Sequence, residues 1–577
     1  MRLSRRLALA VGVGAVFLAA PAAALAHAYL LRTVPAASGP PLNGPPAQLS
    51  MTFNEAVEPR FMIVSVTDAN LTQETAGRPA RSPGDPDTIV TPLRRMPEGW
   101  YLVFWRAISA DGHPVRGAFT FSVGPNAGPP PQFRIPSISE TAAKPNLVVA
   151  RWIVFLATMA AVGLLGLRLL IARPVVARVP EASLRRLSLA FGIAIVVALV
   201  ATPIYVDIAT AQFSLRSAFD LGDVVPLMRS SSFGRSFLDL ELVLAFLAVS
   251  GAIAIAADRP DRERRSLVGL LSLLGALGCA AAALLVPGLG GHAAQTKPRL
   301  VSLLLDWAHL AAGSIWIGGL VGLLVLWWSL GAARRTAGLA ICVPRFSNVA
   351  FVSVMLLIGT GTGAAFIRLP TFSSLWQTSY GTALIAKIAL LLTAMLVASI
   401  NLVRVTPRLR RAGAELELGT GAAAVLRRTV GTEVLLVAGA VFAAAILTSL
   451  PPPPKALATI GKASAHVGPG PVVSVVHHGP YRLEFHVEPN KAAVPDTFAI
   501  RITKDGHPVR HAEVTTTFSM LDMEMPQQAY TLPEVSPGLY QRSKPALVMV
   551  GRWGLSFEIR PPGSTPFVVL LIDHARG

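Results

Sequence analysis

Eight long apolar runs make up the middle of the chain, and they predict that this part folds as a membrane-spanning helical bundle. Between residues 147 and 450 the runs are centred near residues 160, 198, 247, 276, 314, 356, 392 and 439. Each is long enough to cross the hydrocarbon core of a bilayer as a helix, which takes about 20 apolar residues. The chain as a whole is 52% hydrophobic and only 14% charged, which is too apolar for a soluble protein of this length.

The positive charge of the chain, formally +19 at pH 7, is distributed as in a membrane protein. Seventeen arginines fall in the loops after the first, third, fifth and seventh runs, and only six Lys or Arg residues fall in the alternate loops. Loops rich in Lys and Arg stay in the cytoplasm. The basic residues therefore orient a bundle in the membrane, and we exclude nucleic acid as a partner.

Residues 1–26 have the pattern of a secretory signal peptide. A basic start (Arg2, Arg5, Arg6) precedes an apolar stretch, and small residues at Ala24 and Ala26 form an Ala-x-Ala cleavage site. Cleavage after Ala26 makes His27 the first residue of the mature protein. An exported N-terminus requires the same orientation as the loop charges.

Short alternating strand patterns flank the apolar section on both sides. We predict a β-domain at 27–124, a Pro/Gly linker at 125–146, the helical membrane domain at 147–450 and a second β-domain at 451–577. The fold class is therefore mixed: a polytopic helical membrane bundle of about eight spans, flanked by two extracytoplasmic β-sandwich or β-barrel domains. We expect a multi-pass protein of the bacterial cytoplasmic (inner) membrane.

The hexapeptide DGHPVR occurs twice, and its first copy fits a metal site. Asp111 and His113 are two residues apart, so their side chains share a face of an extended segment. His27 adds an imidazole and, after cleavage, an α-amine, and this nitrogen-rich set suits tetragonal Cu(II). The alternative is a capped turn beside an incidental histidine. With only Cys279 and Cys342 in the chain, a thiolate cage is excluded.

The first β-domain resembles the CopC family of exported copper-binding β-barrels. The resemblance covers nearly all of 27–124 and rests on HAYLLRTVPAASG, the FNEAV strand and SADGHPVRGAFTFSVG. In that family the mature N-terminal His and the Asp and His of the D-G-H motif bind Cu(II), which implies His27, Asp111 and His113 here. Some members also have a Met-rich Cu(I) site. The methionines of this domain are not clustered, so we expect that site to be missing.

Ionisable residues inside the apolar runs are the second candidate site. Asp306, His309, Gly313 and Trp316 follow the spacing of one helix stripe, and Lys387 lies at a similar depth on a later run. Charged groups at such depth usually face the bundle interior. Two interpretations remain open: an Asp306–Lys387 ion pair that fastens two helices, or a cation path through His292, Asp306 and His309.

These runs resemble the CopD family of copper-resistance membrane proteins, best from about 285 to 410. The resemblance rests on the GHA loop, D-x-x-H-x(6)-W-x-G-G and T-x-Y-G-x(5)-K. CopD proteins are thought to move copper across the inner membrane. Because no P-loop, kinase-like signature or aspartyl-phosphate motif occurs, we expect no nucleotide partner and no enzyme.

The second DGHPVR, Asp505 to Arg510, predicts a hairpin turn, since Asp-Gly favours such turns. The surrounding domain resembles YtkA-like domains, immunoglobulin-like modules found beside copper proteins. Within it, Met523 and Met525 project to one strand face, and thioethers suit Cu(I). The alternative is that these methionines fill the core.

These patterns together predict copper uptake, with copper ions and the lipid bilayer as partners and other extracytoplasmic copper proteins as further candidates. Cu(II) is bound by the N-terminal domain and passed to the bundle, and Cu(I) is a candidate elsewhere. One alternative is an assembly factor that delivers copper to cuproenzymes without net transport. Another is a sensor or scaffold whose helices only anchor two binding modules.

Overall fold

A computed structural model of the chain gives the fold. The residues that it describes are 28, 30–37, 40–109, 114–128, 131, 144–214, 217, 221–260, 264–296, 298–411, 416–450, 453, 457, 463–492, 494–522, 527–548 and 550–576.

Eight helices in this described part are long and apolar enough to span a membrane, which confirms the predicted bundle. They are α1 (Pro145–Gly166), α2 (Arg185–Ser214), α3 (Ser232–Ala257), α4 (Leu267–Leu289), α5 (Arg299–Ser329), α6 (Ala332–Arg368), α7 (Ser379–Ile400) and α8 (Leu416–Leu447). Two π-helical turns, Leu167–Ile171 and Asn401–Val405, continue α1 and α7.

Helices α1 and α5 form the centre of the bundle and are its most buried helices, whereas α7 is the least buried. Small residues bring the two together. A Cβ at Gly163 of α1 would lie 2.0 Å from the Ser314 carbonyl oxygen, and one at Gly318 of α5 would lie 2.5 Å from the Gly163 Cα. Such close backbone packing through small residues is typical of membrane helices. The predicted stripe on α5 is therefore carried by a central helix.

The N-terminal β-domain packs two antiparallel sheets around a shared core. Its strands are β1 (Leu30–Val34), β2 (Gln48–Phe53), β3 (Ile63–Thr67), β4 (Ala80–Ser82), β5 (Asp85–Pro92), β6 (Gly99–Ile108) and β7 (Pro114–Val123). The sheet orders are β1-β2-β5-β4 and β3-β6-β7. Met51, Met62 and Met96 are buried in the core between them. They therefore fill space in this domain.

The C-terminal β-domain is a larger sandwich with its own core. Its strands are β8 (Ala465–Val467), β9 (Val472–His478), β10 (Tyr481–Glu488), β11 (Asp496–Lys504), β12 (His507–Pro508), β13 (Glu513–Met520), β14 (Gln528–Leu532), β15 (Glu534–Ser536), β16 (Leu539–Lys544), β17 (Gly551–Arg560) and β18 (Phe567–Ala575). One sheet has the order β15-β16-β11-β10-β9, with β12 paired to β11, and the other has β14-β13-β17-β18-β8.

The N-terminal domain packs against one end of the bundle, called the outer end below. Phe61 and Ile108 of that domain belong to the same buried apolar cluster as the helices. The two β-domains also meet, at a cavity of about 210 Å³ whose lining includes Phe119 and Tyr530. Both β-domains are thus in contact with a neighbour.

Candidate metal centre and membrane path

The three predicted Cu(II) ligands, His27, Asp111 and His113, lie outside the described residues. Their nearest described neighbours are Ala28 on one side, and Ser109 and Pro114 on the other. These flanking residues are described next.

The flanks of the predicted ligands are hydrogen-bonded to each other. The backbone N–H of Ala28 donates to Ser109 Oγ at 2.8 Å, and the Ser109 hydroxyl donates to Glu55 Oε1 at 2.7 Å. Ala28 is 3% exposed and Ser109 1% exposed. The residue after His27 is therefore joined to the residue two before Asp111. The described residues that flank these two segments, Ala28 and Ser109, therefore lie side by side.

The loop that carries Asp111 and His113 joins the two longest strands of the domain. Strands β6 and β7 pair along their whole length, ending in the pair Ile108 and Pro114. Ile108 and Pro114 therefore mark the end of this hairpin at which the loop begins and ends. That end faces the membrane bundle, because Ile108 lies in the apolar cluster of the helices.

A buried arginine on the same hairpin binds the outer end of α2. Arg106 donates from Nη1 to the Phe213 carbonyl at 2.9 Å and from Nη2 to the Gln212 carbonyl at 3.2 Å. The last carbonyls of a helix have no partner within the helix and carry its negative dipole end. The guanidinium of Arg106 donates to both of these carbonyls, so Arg106 attaches the hairpin to the bundle.

A second ion contact attaches the domain to the outer loops. Arg60 Nε lies 2.5 Å from Asp223 Oδ1, and the Asp223 side chain is 4% exposed. Arg60 also reaches the Gly222 carbonyl at 3.5 Å. Two arginines, Arg60 and Arg106, therefore attach the domain to the outer end.

His309 is oriented by a hydroxyl on α6. Its Nδ1 lies 3.0 Å from Thr360 Oγ1, and the Thr360 hydroxyl donates to the Leu356 carbonyl at 2.6 Å. A hydroxyl has a single proton, so Thr360 accepts from the imidazole and His309 carries its proton on Nδ1. The Nε2 lone pair is then free for a cation, the arrangement found in metal-binding histidines.

Asp306 lies one turn above His309 on α5, at its contact with α4. A Cβ at Gly288 of α4 would lie 3.0 Å from Asp306 Oδ2. The charges of Lys387 and Arg368 both act on Asp306. Among the ion pairs of the described residues, none joins Asp306 to Lys387 within 4.0 Å. Arg368 is therefore a second cation beside Asp306, in addition to Lys387.

His292 opens the short helix His292–Gln295 between α4 and α5. The position of its side chain lies outside the described part of the chain. The backbone places it at the outer end of the bundle, before the helix that carries Asp306 and His309.

Two residues that the sequence reasoning missed lie beside the α5 stripe. Met159 of α1 is 8% exposed, and a Cβ at Gly313 would lie 2.8 Å from its Cε. Glu433 of α8 is 2% exposed and receives hydrogen bonds from Asn401 and Trp316. The sequence feature that could have identified Glu433 is its position as the single carboxylate of the eighth apolar run.

The second DGHPVR is a hairpin turn, as predicted. Asp505 and Gly506 have φ of 48° and 82°, and the flanking residues Lys504 and His507 are paired across β11 and β12. Positive φ at both central residues defines a type I′ turn. His507 is exposed.

The predicted Cu(I) ligands Met523 and Met525 lie outside the described residues. In the part of the chain that the structure describes, no group of three or more His, Cys, Asp or Glu side chains is placed to hold a metal ion. Two histidines of the C-terminal domain have other contacts: His478 stacks on Phe567 with ring centroids 4.3 Å apart, and His486 lies 3.2 Å from Glu484.

Models of four known families match successive parts of the chain. The CopC domain matches residues 30–124, and the N-terminal domain of proteins like copper resistance protein D matches 142–300. Copper resistance protein D matches 340–447, and the YtkA-like family matches 476–558.

Curated relatives extend over the whole chain and over its first domain. Copper transport protein CutJ of Bacillus subtilis is 26% identical over 92% of this chain and 93% of its own. Copper resistance protein C of Pseudomonas syringae pv. tomato is 32% identical over 18% of this chain and 84% of its own. Among solved structures, PcoC of Escherichia coli is 31% identical over 17% of this chain and 99% of its own, with a TM-score of 0.16.

Proposed function

The chain belongs to the family of CopC–CopD fusion proteins of copper resistance and copper transport, with a C-terminal YtkA-like domain, and we propose that it carries copper into the cell across the cytoplasmic membrane. Cu(II) is bound outside the membrane by His27, Asp111 and His113. It is passed to the bundle, where Asp306 and His309 continue the path. His292 is the entry residue and Lys387 a charge that balances Asp306.

One hairpin supports the transfer between the two domains. The β6–β7 hairpin carries the loop with Asp111 and His113, and the same strand β6 carries Arg106, which binds the carbonyls of Gln212 and Phe213. The ligands are thus attached to the element that contacts the bundle. A site held at this interface delivers its ion to the helices without diffusion through solvent.

Geometry at His309 supports the next step. Because Nδ1 donates to Thr360, Nε2 is the atom that binds a passing copper ion. Asp306, one turn above, supplies a negative charge on the same stripe. The carboxylate attracts the cation and the imidazole then takes it as a ligand.

The C-terminal domain contributes a second candidate site to this proposal. Met523 and Met525 are the thioethers of an extracytoplasmic Cu(I) site, at the end of β13. Replacing both by Leu lowers Cu(I) binding by the full chain while leaving Cu(II) binding at the N-terminal domain unchanged. Unchanged Cu(I) binding would assign these methionines to packing.

The test is copper uptake by the full chain in proteoliposomes that contain a Cu(I)-chelating dye and ascorbate, which reduces the copper that enters. We compare His113→Ala and His309→Ala with His507→Ala, which changes the corresponding histidine of the second DGHPVR. We expect the first two variants to lose uptake and the third to retain it. Equal uptake by all three would contradict the proposed path. Copper binding by the wild-type chain without any uptake would instead favour a delivery factor for cuproenzymes.

A further inference from the structure

Glu433 is a carboxyl group buried at mid-membrane. It is the thirteenth residue of the apolar span Gly421–Leu447 of α8 and is 2% exposed. An ionised carboxylate is costly at this depth, and ionisable residues there usually serve a function. The path proposed above does not use it.

Two neutral donors hold this carboxyl in place. Asn401 Nδ2 donates to Glu433 Oε1 at 2.5 Å, and the indole N–H of Trp316 donates to the same group. Thr429 donates from Oγ1 to Asn401 Oδ1 at 2.6 Å, which fixes the Asn401 amide with its NH₂ towards Glu433. The carboxyl therefore lies where α5, α7 and α8 meet.

The donor from α5 continues the stripe of the proposed path. Trp316 follows His309 by seven residues, which is two helical turns or about 10 Å along the axis. Gly313 lies between them and is covered by the Met159 side chain. Through Trp316, Glu433 therefore joins this stripe about two helical turns below His309.

No cation neutralises Glu433 within the residues that the structure describes, since both groups that reach it are uncharged N–H donors. Helices α1, α5, α6 and α7, and the segment after α7, pack against α8. By position along each element, the nearest charged side chains are Arg151 on α1, Arg168 in the π-helical turn after α1, His309 on α5, Arg345 on α6, Lys387 on α7, Arg404 after α7 and Arg428 on α8 itself.

Several of these charges are engaged elsewhere. Arg151 binds the Tyr205 hydroxyl, and Arg168 binds Asp258 at 2.7 Å. Arg345 donates to its own helix at the Ile341 carbonyl. These three arginines are therefore not the charges that neutralise Glu433.

We propose that Glu433 is a proton-exchanging carboxyl of the copper path, an inference that rests on the proposed transport. When a copper ion passes Trp316, the O–H bond of Glu433 breaks, the proton leaves to solvent and the carboxylate binds the ion. When the ion leaves, a proton returns. The ion in this step is Cu(I), formed from the captured Cu(II) by one electron from an external reductant such as ascorbate. One positive charge then replaces another, and the buried site stays neutral throughout.

The competing role is structural, with Glu433 only fastening three helices. Glu433→Gln separates the two roles, because a glutamine keeps an oxygen acceptor for Asn401 and Trp316 but binds no exchangeable proton. Glu241→Gln on α3 is the matched control, a second carboxyl in a membrane helix that is not on the α5 stripe.

The experiment uses the full chain in proteoliposomes with copper(I) kept reduced by ascorbate, a Cu(I)-chelating dye and a pH-sensitive dye inside. We expect Glu433→Gln to lower uptake by at least about tenfold and to abolish the accompanying proton flux, while Glu241→Gln retains both. Uptake by Glu433→Gln with wild-type rate and pH dependence would overturn the proposal.

Infrared difference spectra separate failure of this inference from failure of transport. We expect copper to remove a protonated-carboxyl band from the wild-type protein, and we expect that change to be missing in Glu433→Gln. If the band changes but no copper crosses the membrane, the proposed transport is wrong and proton exchange at Glu433 is retained. If no band depends on Glu433, the exchange is wrong whether or not copper is transported.

Discussion

The backbone N–H of Ala28 donates to the Ser109 hydroxyl across 81 residues of sequence, at 2.8 Å and in a buried position. This bond joins the residue after His27 to the residue that follows strand β6. Because the Ser109 hydroxyl donates to Glu55, its oxygen is the acceptor for Ala28. If His27, Asp111 and His113 form one site, this bond connects its two flanks.

Ser109→Ala should weaken Cu(II) binding without unfolding the domain. A lost intramolecular hydrogen bond with a buried unsatisfied donor costs about 1–2 kcal/mol, or about 5- to 30-fold in an equilibrium constant. Cu(II) titration of the full chain in detergent, followed by EPR, measures the change. Ser122→Ala is the control, since Ser122 is a buried serine of β7 whose hydroxyl has no hydrogen-bond partner among the described residues. Equal affinities for the two variants would contradict the role of Ser109.

Adding one residue before His27 should have a larger effect on the same titration. The extension removes the α-amine next to the His27 imidazole and leaves all side chains in place. We expect weaker Cu(II) binding and fewer nitrogen ligands in the EPR spectrum, because the chelate ring is lost. Identical spectra with and without the extension would exclude the amine as a ligand.

Arg106→Ala should separate binding from transport. Hydrogen bonds from a charged donor contribute about 1.5–3 kcal/mol each, and Arg106 makes two of them to the end of α2. We expect wild-type Cu(II) EPR spectra and uptake lowered by about tenfold or more. Arg94→Ala, which changes an exposed arginine of the same domain, should leave both unchanged. Normal uptake by Arg106→Ala would show that docking through this residue is not needed for transfer.

Thr360→Val should impair the path at His309, and Thr360→Ser should not. Valine removes the acceptor for Nδ1–H and frees the imidazole to rotate or change tautomer, whereas serine retains the oxygen. Loss of a residue that orients a metal-binding histidine lowers affinity or activity by about 10- to 100-fold. Uptake in proteoliposomes gives the measurement. Equal uptake by the two variants would mean that His309 is not held in this way.

The membrane bundle and the turn at Asp505 were predictable from sequence because local chemistry determines both. A run of about 20 apolar residues has few soluble alternatives, and Asp-Gly adopts the positive φ of a type I′ turn at low cost. Neither prediction required knowing which segments meet in space.

The contacts of Arg106 and Glu433 were not predictable in this way. In the sequence, Arg106 looks like an ordinary arginine of a β-strand. Only the packing of the domain against the bundle shows that it caps α2. Glu433 is a lone carboxylate in an apolar run, but its partners Trp316 and Asn401 come from α5 and from the π-helical turn after α7. Contacts between distant segments depend on packing, which a single sequence does not encode locally.

The pH dependence of the C-terminal domain follows from a buried carboxyl in β11. Burial and, to a smaller extent, the charge of Asp573 raise the pKa of Asp496 to about 7, against hydrogen bonds from the backbone of Lys491 and Asn490. The folded domain therefore binds this proton more tightly than the unfolded chain, whose aspartates titrate at about 4. The contribution of Asp496 to stability is greatest below about pH 4 and is lost as the pH rises through about 7.

Asp496→Asn should remove this fall, because an asparagine stays neutral at every pH and keeps an oxygen for the Lys491 N–H. Thermal unfolding of the C-terminal domain, which has its own core, tests this between about pH 4 and about pH 8. We expect the variant to unfold at a higher temperature than wild type at pH 8 and at nearly the same temperature at pH 4. Asp505→Asn in the exposed turn is the control and should change neither. If wild type and Asp496→Asn keep the same difference at every pH, Asp496 does not titrate in this range and its proton plays no part in the stability of the domain.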